Sequence, residues 1–272
     1  MKRIICWICS ILFFSCAAEA LTLNGHFTQG GLVIGRTTAE TIVIFNERKI
    51  RVSPEGIFVI GFNRDAKPIA RLKLIYKNGQ VLRKILSIVE RKYKIEKIVG
   101  LPSAKVSPPG KVLARIEFEA ELVSKAREID TPAIHFLQNW VWPAEGRISG
   151  VYGSQRVLNG LPKRPHYGID IAAPTGTKVV SPNSGIIRMV HKDMYLSGGT
   201  VIIDHGHGIS SALLHLKSIA VKEGQPITRG EVIGTIGASG RATGPHLDWR
   251  INLFKRRLDP ELLMHPGSRT RN

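Results

Sequence analysis

The sequence predicts a mainly β protein with an N-terminal small β-sandwich, a connecting helix and a C-terminal half that is nearly all β. Short apolar runs broken by turn residues fill residues 21–101. Residues 111–128 instead repeat apolar side chains at helical spacings of three and four. From Trp142 onward, β-rich runs return and glycine and proline multiply, without another helical stretch of useful length. These three observations define the fold class.

Residues 1–20 have the pattern of a secretory signal peptide. Met1-Lys2-Arg3 precedes an apolar run from Ile4 to Phe14, and Ala18-Glu19-Ala20 follows, so cleavage is predicted after Ala20. All three cysteines lie in this segment, so the mature chain needs no disulfide or thiol chemistry. A lipoprotein signal that uses Cys16 is the alternative. No later segment is apolar for about 18 residues, so we expect an exported chain without a transmembrane segment.

The chain is strongly basic, with a formal net charge of +18 at pH 7. One interpretation is solubility together with a lysine-rich composition, and the other is attraction to a polyanion such as an anionic envelope polymer. Nucleic acid is not an expected partner, because the chain is predicted to be exported and has no recognition module or basic stripe interleaved with aromatic residues.

Residues 21–101 are predicted to form the β-sandwich domain, with Lys77-Asn78-Gly79 as a hairpin turn that needs positive φ. Residues 102–138 are predicted to be a linker and a helix over Lys111–Glu128, which packs across one domain or bridges the two. The apolar face of that helix is predicted to contain Leu113, Ile116, Ala120 and Val123.

Residues 139–265 are predicted to form a second β domain, followed by a C-terminal tail at 266–272. Gly206-His207-Gly208 has the composition of a hairpin tip between two strands. The later glycine series lacks the lysine and hydroxyl residue of a phosphate-binding loop, so we interpret it as turns.

Two clusters of imidazole and carboxylate side chains lie in this second domain. His166 and Asp170 form the first, His246 and Asp248 form the second, and His215 lies between them. Side chains two or four positions apart in a strand point to the same face, so each pair can share a pocket. Imidazole and carboxylate are the groups that hold a catalytic zinc through three protein ligands while leaving a fourth position for water.

The order of these motifs resembles the lysostaphin/LytM-type zinc endopeptidases over about Trp142 to Pro260. The matching segments are His166-x-x-x-Asp170, Asp204-His205-Gly206, Leu214-His215-Leu216, Val221-x-x-Gly224, Gly230-x-x-Ile233-Gly234 and Thr243-Gly244-Pro245-His246-Leu247. The resemblance implies a compact antiparallel β peptidase domain with an open groove, which hydrolyses peptide bonds of peptidoglycan by attack of a metal-bound water.

Carried over by position, the resemblance implies metal ligands at His166, Asp170 and Asp248, and catalytic histidines at His215 and His246. It does not divide the roles of the two histidines between proton acceptor and oxyanion donor.

The departure from the family pattern is Asp248, where histidine is usual. Asp can bind zinc, but two carboxylates and one imidazole cancel the charge of a divalent ion, which predicts a weaker Lewis acid. Oxygen-rich ligation also shifts preference from Zn²⁺ toward Mn²⁺ or Fe²⁺. The alternative for Asp248 is a salt bridge to an arginine such as Arg250.

The leading interpretation is an exported metalloendopeptidase with peptidoglycan as its partner, and the resemblance favours a Gram-negative periplasm. A second hypothesis is a degenerate, catalytically weak relative that acts as a binding or regulatory partner of another cell-wall hydrolase, which only Asp248 favours. A third is a biotinyl/lipoyl-like adaptor domain, but no lysine occupies a modifiable hairpin tip and the histidines remain unexplained.

Overall fold

A computed structural model describes residues 21–99 and 110–265. The predicted signal peptide, the linker segment 102–109 and the predicted C-terminal tail lie outside the described residues. Within the described part of the chain, no helix is long and apolar enough to cross a membrane.

The N-terminal domain is the predicted small sandwich of two antiparallel sheets. One sheet has the order β1-β2-β5 and the other β4-β3-β6-β7. Buried aliphatic and aromatic side chains from both sheets, among them Phe45, Phe58 and Leu72, form the core between them. The predicted hairpin turn is confirmed, since Gly79 has φ +85° between β6 and β7. The strands are β1 (Thr22–Gly25), β2 (Leu32–Arg36), β3 (Ile42–Phe45), β4 (Arg48–Ile50), β5 (Ile57–Gly61), β6 (Ile69–Ile75), β7 (Val81–Ser87) and β8 (Ile95–Ile98).

The C-terminal domain is built on a ten-stranded antiparallel sheet. Its main path runs β17-β14-β15-β16-β19-β12-β9, while β13 and β18 pair with each other, β18 also pairs with β16, and β20 pairs with β19. Its strands and the small hairpin beside it are β9 (Arg147–Gly150), β10 (Gln155–Leu158), β11 (Leu161–Pro162), β12 (Ile169–Ala172), β13 (Lys178–Val180), β14 (Gly185–Met194), β15 (Gly198–Gly206), β16 (Ile209–Ile219), β17 (Pro226–Ile227), β18 (Val232–Ile236), β19 (His246–Leu253) and β20 (Arg256–Leu258).

The two central strands of this sheet are covered on both faces. Val201 and Leu213 point into the main core, whereas Ile202 and Leu214 pack on the other side against the helix. This double coverage explains why every residue of β15 is buried, in place of the alternation expected for a sheet with one solvated face.

The connecting helix α1 spans Leu113–Glu128, but its predicted buried face is partly wrong. Leu113 is 46% exposed, and Ala120 is exposed as well. The buried face instead contains Glu119, Ala126 and Arg127. Glu119 accepts a hydrogen bond from the backbone N–H of Tyr195 at 2.8 Å, and Arg127 donates to the carbonyl of Phe254 at 2.6 Å. Two charged side chains that bond the backbone of the sheet domain therefore dock the helix, which a count of apolar residues alone does not detect.

The two domains share a core and a sheet. Leu32 and Val59 of the sandwich belong to the main core of the C-terminal domain. Strand β8, which follows the sandwich, pairs in parallel with β10, and β10 pairs with β11. The fold class is confirmed as mainly β with one connecting helix, and the parallel pairing of β8 with β10 is an exception to its antiparallel sheets.

His205 is a buried histidine that contributes to the stability of the C-terminal domain. It is fully buried, its Nδ1 contacts the carbonyl oxygen of Ser184 at 2.7 Å, and its Nε2 contacts the hydroxyl of Ser211 at 2.8 Å. Burial lowers its pKa from 6.5 to about 4. The folded protein therefore contains His205 in its neutral form at pH 7.

We expect His205→Gln to flatten the acid dependence of stability. The unfolded ring takes up a proton near pH 6.5 and the folded ring only near pH 4. The free energy of unfolding should therefore fall as pH falls through this window, by up to about 3 kcal/mol. The measurement is urea unfolding at pH 7 and pH 4.5 in the presence of chelator. The exposed His26→Gln variant is the control and should keep the full acid loss; equal losses in both variants would contradict the assignment.

Candidate metal centre

The register of two neighbouring strands brings the two sequence clusters together. Asp170 of β12 lies directly opposite Asp248 of β19, and Ala172 lies opposite His246. On the other side of β12, Asp170 lies opposite Gly150 of β9. Directly opposed residues of antiparallel strands project to the same face, so the two carboxylates share one side of the sheet. His246 joins them because it is two positions from Asp248.

His166 precedes β12 in a loop that two backbone hydrogen bonds hold in place. Its N–H donates to the carbonyl of Ser154 at 2.8 Å, and its carbonyl accepts from the N–H of Gly153 at 2.8 Å. The ring atom Nε2 then lies 3.2 Å from Oδ1 of Asp170. Both atoms are buried, and neither has a hydrogen-bond partner with acceptable geometry.

These atoms fit a divalent metal ion. One ligand atom from each of His166, Asp170 and Asp248 lies within 4.8 Å of the others. Two ligands about 2.0–2.1 Å from a tetrahedral zinc are themselves about 3.3 Å apart, close to the separation of Nε2 and Oδ1. Buried polar atoms without partners are rare in folded proteins, and a bound ion is one of the standard explanations.

His215 is placed by an irregularity in β16. Its backbone has φ +64°, unusual for a residue other than glycine. β16 pairs with β19 up to Leu214 and with β18 from Leu216 onward, so His215 lies where the partner strand changes. Its Nδ1 donates to the carbonyl of Ser239 at 2.8 Å. Since that nitrogen carries the proton, Nε2 of a neutral ring keeps a free lone pair.

His246 is held in the same tautomer, next to His215. Its Nδ1 donates to the carbonyl of Gly244 at 2.8 Å. The centroids of the two imidazole rings are 4.7 Å apart, and Nε2 of His246 lies 4.0 Å from Oδ1 of Asp170. The structure therefore brings together all five residues that the sequence analysis selected as ligands or catalytic groups.

Asp248 also forms the ion pair that the sequence analysis considered as its alternative role. Nε of Arg250 is 3.0 Å from both carboxylate oxygens, and Nη2 contacts Oδ2. Asp248 is only 3% exposed. The ion pair and the cluster with His166 and Asp170 exist in the same structure.

The pKa values of the groups in the centre are set by two opposing effects, burial and the charges of neighbouring side chains. Burial disfavours the charged form of His166, but the carboxylates of Asp170 and Asp248 outweigh it and raise the pKa of this histidine. Burial likewise opposes ionisation of Asp248, but Arg250 outweighs it and the pKa of Asp248 is lowered. For His215, burial dominates and lowers the pKa, so its ring is neutral at pH 7.

Two glycines make room for the carboxylates, because a side chain at either position would overlap with them. A Cβ at Gly150 would lie directly against Oδ2 of Asp170 and 2.8 Å from its Cγ. A Cβ at Gly168 would lie 2.6 Å from Oδ1 of Asp248 and 2.7 Å from Cγ of Arg250. All of these separations are shorter than a normal van der Waals contact of a carbon atom. The position of each carboxylate therefore depends on the absence of a side chain at the neighbouring glycine.

A comparison with protein families agrees with this geometry. Residues 164–260 match the model of Peptidase family M23, and this range includes all five residues. The chain carries an M23 peptidase domain. The predicted resemblance to lysostaphin/LytM-type peptidases is thereby confirmed.

Relatives with assigned names match less than half of the chain. Peptidoglycan DD-endopeptidase ShyA of Vibrio cholerae is 39% identical over 116 residues, which are 42% of this chain and 26% of that protein. DD-carboxypeptidase/endopeptidase Mpg of Neisseria meningitidis is 39% identical over 98 residues, which are 36% of this chain and 22% of that protein. The chain therefore spans about a quarter of the length of these relatives.

A solved structure extends the likeness beyond the M23 domain. The crystal structure of a protein assigned to peptidase M23 from Pseudomonas aeruginosa is 27% identical, with a TM-score of 0.67. It covers 87% of this chain and 94% of that chain. The sandwich, helix and M23 domain thus recur together in one fold.

Sequence reasoning missed three contributors to the centre. Gly150 carries no chemical signal of its own and matters only because β9 lies beside Asp170. Ser239 acts through its backbone carbonyl, which no side-chain pattern reveals. Gly168 lies inside the first motif, so its position between two functional residues was the one available signal.

We expect Gly150→Ala to weaken metal binding without unfolding the protein. The added methyl group would displace the Asp170 carboxylate, which is predicted to be a ligand, and zinc affinity should fall about 10–100-fold. The measurement is zinc titration against a fluorescent chelator, with circular dichroism to verify folding. Gly110→Ala is the control, because among the residues that the structure describes a Cβ there would meet no atom within 4 Å. Unchanged affinity in a folded Gly150→Ala protein would argue against Asp170 as a ligand.

Proposed function

We propose that this chain is an exported, metal-dependent endopeptidase that hydrolyses peptide cross-links of peptidoglycan. One observation carries the proposal: Nε2 of His166 and Oδ1 of Asp170 are buried, without a hydrogen-bond partner and 3.2 Å apart, beside Asp248 and the two adjacent rings of His215 and His246. The two named relatives support the substrate class. The name of ShyA describes peptidoglycan endopeptidase activity, and the name of Mpg describes carboxypeptidase/endopeptidase activity. An extracytoplasmic location, the periplasm in a Gram-negative cell, follows from that substrate and from the pattern of residues 1–20.

His166, Asp170 and Asp248 would hold the metal, with zinc as the first candidate ion. A divalent ion held there would supply Lewis acidity, which would lower the pKa of a coordinated water and polarise the scissile carbonyl. Anionic envelope polymers are a further proposed partner, given the net charge of +18.

His215 and His246 would provide the proton transfer. In each ring, the hydrogen bond from Nδ1 to a backbone carbonyl leaves Nε2 as the atom that can accept a proton. Burial keeps His215 neutral at pH 7, the form that a general base requires. After one ring accepts the proton of the attacking water, the leaving amine needs a proton, and the same Nε2–H can return it. The second ring, in its protonated form, would donate a hydrogen bond to the developing oxyanion.

A second candidate function is a catalytically weak relative that binds peptidoglycan or regulates another hydrolase. The ion pair between Asp248 and Arg250 favours it, because both oxygens of the carboxylate already accept hydrogen bonds from the arginine. The preserved positions of His166, Asp170, His215 and His246 favour the enzyme.

Digestion of purified peptidoglycan tests the proposed activity. We expect the mature protein to release peptide-linked fragments that mass analysis identifies, chelator to stop the release, and added zinc to restore it. Full digestion in chelator would exclude a metal mechanism. Binding to peptidoglycan without fragment release, in protein shown to contain stoichiometric zinc, would favour the second candidate.

Two histidine variants separate metal binding from turnover. His215→Asn should retain zinc but lower the rate of fragment release about 10²–10⁴-fold, because asparagine tolerates the positive φ but cannot accept the proton. His166→Ala should lose zinc and activity together. The exposed His26→Ala variant is the control for both. Retained turnover in His215→Asn would remove this residue from the proposed mechanism.

A further inference from the structure

The ligand candidate Asp248 places a second negative charge next to Asp170. Asp170 and Asp248 are directly opposite each other on neighbouring strands. Like charges in this arrangement are destabilising. Asp248 is also almost entirely removed from solvent, at 3% exposure. A carboxylate there needs a cation beside it even when no metal is bound.

Arg250 supplies that cation from the same strand. It is two positions from Asp248, so both side chains project from the same face of β19. Its Nε lies 3.0 Å from each carboxylate oxygen, and Nη2 makes a further contact with Oδ2. The guanidinium is permanently charged and its planar fork fixes the carboxylate plane. The missing side chain at Gly168 provides room for both partners.

We infer that Asp248 and Arg250 act as one unit that stands in for a neutral metal ligand. Arg250 is a positioning residue: it orients the Asp248 carboxylate beside His166 and Asp170 and cancels its charge. The inference rests on the proposed metal-dependent function. It differs from the plain alternative in which the ion pair only stabilises the sheet.

The charge count supports this assignment. His166, Asp170 and Asp248 alone carry a formal charge of −2, with the imidazole neutral. Including Arg250 brings the total to −1, which equals the charge of one carboxylate with two imidazoles. The sequence analysis predicted a weaker Lewis acid because it included the charge of Asp248 but not that of Arg250. With both residues counted, the ion would experience a net ligand charge like that of the usual histidine-containing set.

A double-mutant cycle in zinc affinity tests the unit. The four full-length proteins are wild type, Asp248→His, Arg250→Leu and the double variant, and the probe is zinc itself in competition with a fluorescent chelator. We expect Asp248→His alone to bind zinc at least about tenfold more weakly than wild type, because it leaves a partly buried guanidinium without its carboxylate partner beside the ion. The double variant should return to within about threefold of wild type, because its second histidine is neutral and the extra cation is gone.

Additive effects would overturn the inference. If Asp248→His changes zinc affinity by the same factor with and without Arg250, the two residues do not act together toward the metal. Thermal unfolding of the four metal-free proteins identifies a merely structural pair, which would couple in the melting temperature while zinc affinities remained additive. Where Arg250→Leu does not fold, Arg250→Gln replaces it, since glutamine keeps a hydrogen-bond donor without the charge.

The same experiment distinguishes this inference from the proposed function. Wild-type protein that binds no zinc and releases no peptidoglycan fragments would contradict the proposed function itself. Wild-type protein that binds zinc and digests peptidoglycan, but shows additive affinities in the cycle, would contradict only the unit formed by Asp248 and Arg250.

Discussion

The opposition of Asp170 and Asp248 across β12 and β19 is the constraint on which the rest of the centre depends. Two carboxylates face each other on one side of the sheet, while Ile171, Leu247 and Trp249 on the other side are completely buried. A shift of the register by one residue would turn the carboxylates into that core and expose the apolar side chains. The core therefore fixes the register, and the register forces the carboxylates together. The remaining features of the site, namely the arginine fork, the two glycines and the histidine in the preceding loop, accommodate that enforced proximity.

The sequence predicted the composition of this centre but not its geometry. The spacing of His166 from Asp170 and of His246 from Asp248 is a local property, so alternation along an extended chain was enough to group them. The pairing of β12 with β19 joins segments about 75 residues apart, and only the resemblance to a known family suggested it. The backbone irregularity at His215 arises where β16 changes partner, from β19 to β18. No local pattern encodes such a change, since it depends on three strands at once.

The connecting helix shows a second limit of sequence patterns. Apolar periodicity selected Leu113 and Ala120, yet the helix docks through Glu119 and Arg127. Each of these charges bonds a backbone group of the sheet domain, which offsets part of the cost of burying it. Periodicity treats charged residues as solvent-facing and therefore misassigned part of the buried face of this helix, where two charged side chains have backbone partners. The prediction of the fold class was still correct, because it depends on the presence of the helix and not on which face of the helix is buried.

The N-terminal sandwich is physically connected to the candidate centre. Arg64 of the sandwich is 8% exposed, stacks over Tyr93 at 4.4 Å and donates to the carbonyl of Gly153 at 2.8 Å. The N–H of Gly153 in turn donates to the carbonyl of His166. A chain of two hydrogen bonds thus runs from the sandwich to the loop that carries a predicted metal ligand. Because Leu32 and Val59 also complete the main core, removing the sandwich would expose apolar surface and release this loop together. Loss of activity on truncation would therefore reflect lost support for His166 as readily as lost substrate binding, and these contacts favour a supporting role for the sandwich.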